Sequence, residues 1–347
     1  MAYSIGANSA GERAASLAGK PILLGHNLLR NQTNPNPASR TGAEWRAGTV
    51  GGALPTWAAT NKTLSTAPTA RASDDYMHLQ TWPDSTTPSK RWALLFDLVE
   101  SATPADSLII AGHNFGDLAT LGADVDVFVY IADAVDFTTN NRRIALWSAV
   151  SSNERLVTFN LGPTGQSITN DEESYTSLRY LQINIQDTGN AVDIVPRIGE
   201  VYLGRRRQLS RKPQGQWDDK HWRSNNPSHV TYGGVHTTYS RNRGQRIFTP
   251  TWGSSGADGV YGLNDITTLE SWFVDDLSYG ERKFFFVPDP DDSGYGSGAH
   301  IDPTPHGPTA YMMHLEDPEF DLLLTGPAER QYGSRFVEQA PFVSSGE

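Results

Sequence analysis

Hydrophobic and polar positions alternate along much of the chain between 92 and 204. DVDVFVYIAD (124–133) puts Val125, Val127, Val129 and Ile131 on one face, with Asp124, Asp126, Phe128 and Tyr130 on the other. RYLQINIQD (179–187) alternates Leu181, Ile183 and Ile185 with Tyr180, Gln182, Asn184 and Gln186. A period of two is the mark of a half-buried strand. WALLFDLVE (92–100) and SLIIAGHNFG (107–116) are apolar-rich strands, and RRIALWSAV (142–150), RLVTFNLG (155–162) and RIGEVYLGR (197–205) repeat the theme with turn residues between. Short strands so closely spaced predict an antiparallel sandwich or jelly roll. No βαβ rhythm appears, so a doubly wound sheet is not expected.

The texture changes after Arg205. RRRQLSRKPQGQWDDKHWRSNNPSH has no periodicity and reads as a connector over 205–229. Residues 230–254 read as a Gly-interrupted strand pair, and KFFFVPD, TAYMMHLED, FDLLLTG and RFVEQAPF as further strands. The best helix is LNDITTLESWFVDDLS, near 264–278. Asn264 or Asp265 can cap it, and Ile266, Leu269, Trp272, Phe273 and Leu277 line one face. The expected organisation is an arm (1–21), a jelly-roll sandwich (22–204), a connector (205–229) and a smaller α+β domain with one helix (230–347).

Composition agrees with a loop-rich β protein. The 347 residues include 32 Gly and 21 Pro, and only 19% are charged. With no Cys there is no disulfide, thiol nucleophile or Cys-ligated metal. No apolar run of about 18 residues exists, and the N-terminus lacks the pattern of a signal peptide, so neither a membrane span nor a leader is expected. The net charge of −11 argues against nucleic-acid binding. Arg205, Arg206, Arg207, Arg211 and Lys212 form a local basic knot. It suits a salt-bridged contact between subunits or domains.

Candidate chemistry is sparse. Gly25-His26-Asn27 and Gly112-His113-Asn114 repeat a triplet at strand ends. Nearby Asp97 and Asp117 could suggest acid–base work, but turn punctuation explains the triplets better. Asp289, Asp291 and Asp292 could hold a hard cation, though their spacing fits no EF-hand and a solvated turn is the default. His300, His306 and His314, with Asp302, lack metal-ligand spacing. No metal, no cofactor and no catalytic residue is therefore assigned, and the chain is read as a non-enzyme. Trp57, Trp82 and Tyr295 sit in loop contexts where an aromatic face can stack on a sugar. Trp217 and Trp222 lie in the connector and suit an interface anchor.

The patterns SLIIAGHNFGDL with IGEVYLGRRRQLSRKP, and RGQRIFTPTW with DITTLESWFVDD, RKFFFVPDPDD, AYMMHLED and RFVEQAP, resemble those of minor tail or tail-tip (baseplate) proteins of long-tailed bacteriophages. That resemblance implies a galactose-binding-like jelly roll followed by a β-rich domain. It also implies a virion structural role, assembly in the host cytoplasm, and partners that are copies of the chain and other tail proteins. The alternatives are a module of the virion that recognises host-surface glycan, a capsid decoration or fibre protein, or a polysaccharide depolymerase.

Overall fold

A computed structural model describes residues 21–29, 42–55, 80–83, 89–97, 107–132, 137, 142–153, 155–159, 180–204, 206–209, 213, 221–223, 228–230, 236–238, 245–252, 260–288, 310–317, 319–320, 323–324 and 329–338. Two compact units emerge. Unit 1 takes in Asn27–Arg205; unit 2 takes in Gly19–His26, Arg206–Pro290 and Ala310–Glu347. Among the described residues, unit 1 thus falls in sequence between two segments of unit 2. The boundary differs from expectation at its first strand, β1 (Ile22–Leu24), which does not open the sandwich. It pairs instead with Phe285–Val287 of unit 2.

Unit 1 contains β2 (Gly42–Gly48), β3 (Arg91–Asp97), β4 (Ser107–Ala111), α1 (Phe115–Thr120), β5 (Val125–Ala132), β6 (Arg142–Trp147), β7 (Leu156–Phe159), β8 (Tyr180–Asp187) and β9 (Glu200–Gly204). They form a five-stranded sheet, β2-β3-β8-β5-β6, and a three-stranded sheet, β7-β4-β9, antiparallel throughout. This is the expected jelly-roll sandwich, mainly β. The alternation read from the sequence is its cause. Trp45, Leu94, Ile183, Val129 and Ala145 stand in one register row across the larger sheet, all buried. They share a core with Leu108, Ile110, Leu156, Val201 and Leu203 of the smaller sheet.

The other face of the larger sheet carries the alternate positions, yet much of it is buried too. Arg91 donates to the carbonyls of Thr49 and Gly52 and to Asn184 Oδ1, and Gln182 donates to the Pro55 carbonyl. The strap 49–55 is thereby held over the sheet, with Gly51 at φ +70°. Burial pushes the Arg91 pKa down, the carbonyls offsetting the lost hydration.

Unit 2 adds β10 (His221–Arg223), β11 (Ser228–Val230), β12 (His236–Thr238), β13 (Gln245–Phe248), β14 (Thr251–Trp252), β15 (Val260–Tyr261), α2 (Gly262–Ser271), β16 (Phe284–Val287), β17 (Tyr311–Leu315), β18 (Leu323–Leu324), β19 (Glu329–Gly333) and β20 (Phe336–Glu338). Its main sheet runs β1-β16-β17-β20-β13-β10. Trp272, Phe284, Phe286, Phe248 and Phe336 pack edge to face on it at centroid separations of 5.0–6.0 Å.

Two expectations need correcting here. The stretch 205–229 is more than a connector, because Arg207 exchanges backbone hydrogen bonds with Leu23 and β10 joins the main sheet. The helix starts at Gly262, so Asn264 and Asp265 lie inside its first turn and do not cap it. It widens into a π-turn at Trp272–Asp276, where the Leu277 N–H reaches the Trp272 carbonyl. That turn passes Gly25 so closely that a Cβ there would lie 2.7 Å from Asp276 Cβ.

Asp187 ends β8 as a buried carboxylate. Its oxygens accept from the N–H groups of Asp124 (2.9 Å), Ala191 (2.7 Å) and Val192 (2.8 Å). Burial alone would raise its pKa, but these donors outweigh it and hold the group below its ordinary 3.8. A depressed folded-state pKa means stability that is present above the unfolded value and lost as pH falls through the folded one. Asp187→Asn is expected to cost about 1–3 kcal/mol at neutral pH. It should also flatten the acid dependence below pH ~4. Urea melts at pH 7 and pH 3 check both.

Candidate functional site

The segment between Asp187 and β9 has no strand partner over residues 191–197, so its backbone groups must be satisfied singly. Ile194 receives a bond from Trp92 Nε1 at its carbonyl (2.7 Å) and donates its N–H to the Ser89 carbonyl (2.9 Å). Asn114 Nδ2 donates to the Val195 carbonyl (3.2 Å), and Asn114 Oδ1 accepts the Arg197 N–H (2.8 Å). Ile198 exchanges two backbone bonds with Thr81, at 2.8 and 3.0 Å. Gly199 donates to the Ala111 carbonyl. Thr81 is itself buried and accepts from Trp45 Nε1 at 3.1 Å.

The two Gly-His-Asn triplets are therefore grips on one piece of chain. Asn114 holds Val195 and Arg197. Asn27, buried, accepts the Leu203 N–H (3.2 Å) and donates to Glu200 Oε1 and the Val201 carbonyl, both at 2.9 Å. Asn114 occupies the N-cap position of α1, yet its side chain makes no cap bond. Asn153 takes over, its Oδ1 accepting from the N–H groups of Gly116 (2.8 Å) and Asp117 (3.3 Å). That substitution releases Asn114 for its work across the gap. His113 stacks on Phe115 at 4.2 Å, and its Nδ1 accepts the Phe115 N–H. Both triplets are structural punctuation.

What this scaffold presents is a cross-strand pair. Trp82 and Arg197 are the next residues out from the hydrogen-bonded pair Thr81–Ile198. In an antiparallel arrangement such positions bring side chains close together. The Arg197 guanidinium carbon lies 5.6 Å from the centre of the half-buried Trp82 ring. Arg197 is exposed, and its guanidinium forms no ion pair among the described residues. An indole–guanidinium contact at an exposed site is worth about 0.5–1 kcal/mol. That is enough to orient the cation and too little to make it a structural prop.

Of the sequence candidates, Trp82 lies half-buried beside the exposed Arg197. Arg197 was not legible beside it, because 115 residues separate the two. The visible clue is IGE after Arg197, which marks the strand entry. Arg207 makes a two-pronged bond to Asp276 within unit 2 (Nε–Oδ2 2.9 Å, Nη2–Oδ1 3.2 Å). Trp222 lies in β10 opposite Arg246. His314 lies in β17, where burial lowers its pKa. Trp57, Trp217, Tyr295, Arg205, Arg211, Lys212, Asp289, Asp291, Asp292, His300, Asp302 and His306 fall outside the described residues, as do residues 1–20 of the arm. Among the described residues no group of three acidic or His side chains could hold a metal, and no helix is long and apolar enough to cross a membrane.

No family profile and no curated protein matches the chain. Among solved structures, it is similar to the lectin-binding domain of lectinolysin, in a His 62 mutant complexed with Lewis b (14% identity, TM-score 0.30). The match covers 53% of this chain and 98% of that one. A fucose-binding module of Streptococcus pneumoniae, SpX-3, shows 17% identity and TM-score 0.26, with 44% and 98% covered. The module CBM32-1 from a family 31 glycoside hydrolase of Clostridium perfringens shows 12% and 0.27, with 50% and 100% covered. The fold assignment rests on the strand order given above, not on these distant likenesses.

If Arg197 is displayed and not structural, Arg197→Ala should change unfolding free energy by less than about 0.5 kcal/mol. Asn114→Ala, which strips two backbone groups of their partner, should cost about 1–3 kcal/mol. Equilibrium denaturation of the two variants separates the roles.

Proposed function

We propose that unit 1 is a non-catalytic recognition module that binds glycan at the Trp82–Arg197 end of its sandwich. The observation that carries this reading is the pair itself. A half-exposed indole offers apolar surface to the C–H face of a sugar ring, and the guanidinium held beside it, ion-paired with none of the described residues, offers donors to sugar oxygens. Sites for small ligands combine apolar contact with a few fixed polar groups in this way. The solved proteins named above include a lectin domain seen with Lewis b and a fucose-binding module. Their distance from this chain is too great for them to supply the reading.

A second proposal concerns location. The tail-protein patterns fall on real elements: Arg246 and Phe248 in β13, the helix α2, the aromatic β16, and β17 and β20. On the resemblance of these segments alone, we infer a virion component that assembles with copies of itself and with tail proteins, unit 1 serving as its glycan-recognition part. Tagging the chain in assembled phage particles tests that placement.

Binding is tested by probing a broad array of immobilised glycans with the full chain. A specific glycan signal that falls at least tenfold in Trp82→Ala, with unchanged thermal unfolding, is the expected result. Glycan binding unaffected by that substitution, or no binding to any glycan, would overturn the proposal.

A further inference from the structure

Resting on the glycan-binding reading, we propose that the ligand is an acidic glycan, with its carboxylate held by Arg197. The chain has 39 acidic and 28 basic residues, so acidic side chains are plentiful. Yet the exposed Arg197 guanidinium pairs with no carboxylate of the described chain. The acid of the adjoining α1, Asp117, is bonded to Asn153 Nδ2 at 2.7 Å. The cation is fixed from both sides of its own residue. Its N–H is anchored by Asn114, its neighbour Ile198 by Thr81, and its head by the Trp82 ring.

A guanidinium is planar and presents paired donors that match the two oxygens of a carboxylate. Held against an indole, it loses less rotamer freedom on binding than a free surface Arg would. A neutral sugar can accept from the guanidinium but leaves its charge uncompensated. A sugar acid compensates it and takes both donors in parallel. The net charge of −11 repels anions at long range, so selection for an acid must come from this local, oriented contact.

The test titrates the full chain, by calorimetry, with matched pairs of probes. One pair is oligogalacturonate and its methyl ester; the other is sialyllactose and lactose. At least one acidic probe should bind tenfold or more tightly than its neutral partner. In Arg197→Gln that preference should vanish, the acidic probe falling to the affinity of its neutral partner measured on the same variant. Arg197→Lys should recover only part of it, since an ammonium lacks the paired donors. Equal affinity for acidic and neutral partners, or a preference untouched in Arg197→Gln, would overturn the acidic-ligand inference and leave glycan binding standing. Absence of binding to all four probes would also overturn it. The glycan array then decides whether sugar recognition falls with it.

Discussion

The organisation of unit 1 depends on how one irregular stretch, Ile194–Ile198, has its backbone satisfied. It lies between two ladders and belongs to neither. Each of its polar groups would cost about 1–3 kcal/mol if buried without a partner. Side chains from distant parts of the chain meet that demand: Trp92 from β3, Asn114 from the start of α1, and the backbone of Thr81. The same bonds that complete the backbone also set Arg197 opposite Trp82. Here the demand for satisfied hydrogen bonds and the geometry of the site are one constraint.

This gives the paired Gly-His-Asn triplets a common logic. In each, Asn carries the function, because a carboxamide can accept from one N–H and donate to one carbonyl at once. The glycines serve different needs. Gly112 takes φ +65°, a left-handed conformation that favours glycine. Gly25 lies against the π-turn at Asp276, where no Cβ fits. The histidines differ too: His113 is stacked and buried, while burial lowers the pKa of His26 despite the carboxylate of Asp276 nearby.

Much of the fold was legible in the sequence because the sandwich is built from period-two strands whose buried face is written directly in Val, Ile and Leu. The row Trp45–Leu94–Ile183–Val129–Ala145 follows from that alternation once register is known. Less legible were features set by long-range pairing. Ile22–Leu24 is apolar in either unit, and only its partner Phe285–Val287 decides which it joins. His221–Arg223 is too short and polar to show a period, and its strand identity comes from β13. The candidate site was half legible. An indole in a loop, Trp82, signals itself, whereas an Arg at a strand entry is ordinary until the bridge at Thr81–Ile198 brings the two together.

The most direct test of this account is the NMR spectrum of the full chain, titrated with a glycan that it binds. The indole N–H of Trp82, the guanidinium N–H of Arg197 and the carboxamide of Asn114 should show the largest shift changes. Changes confined to the strap 49–55, or to unit 2, with these three signals unmoved, would contradict it.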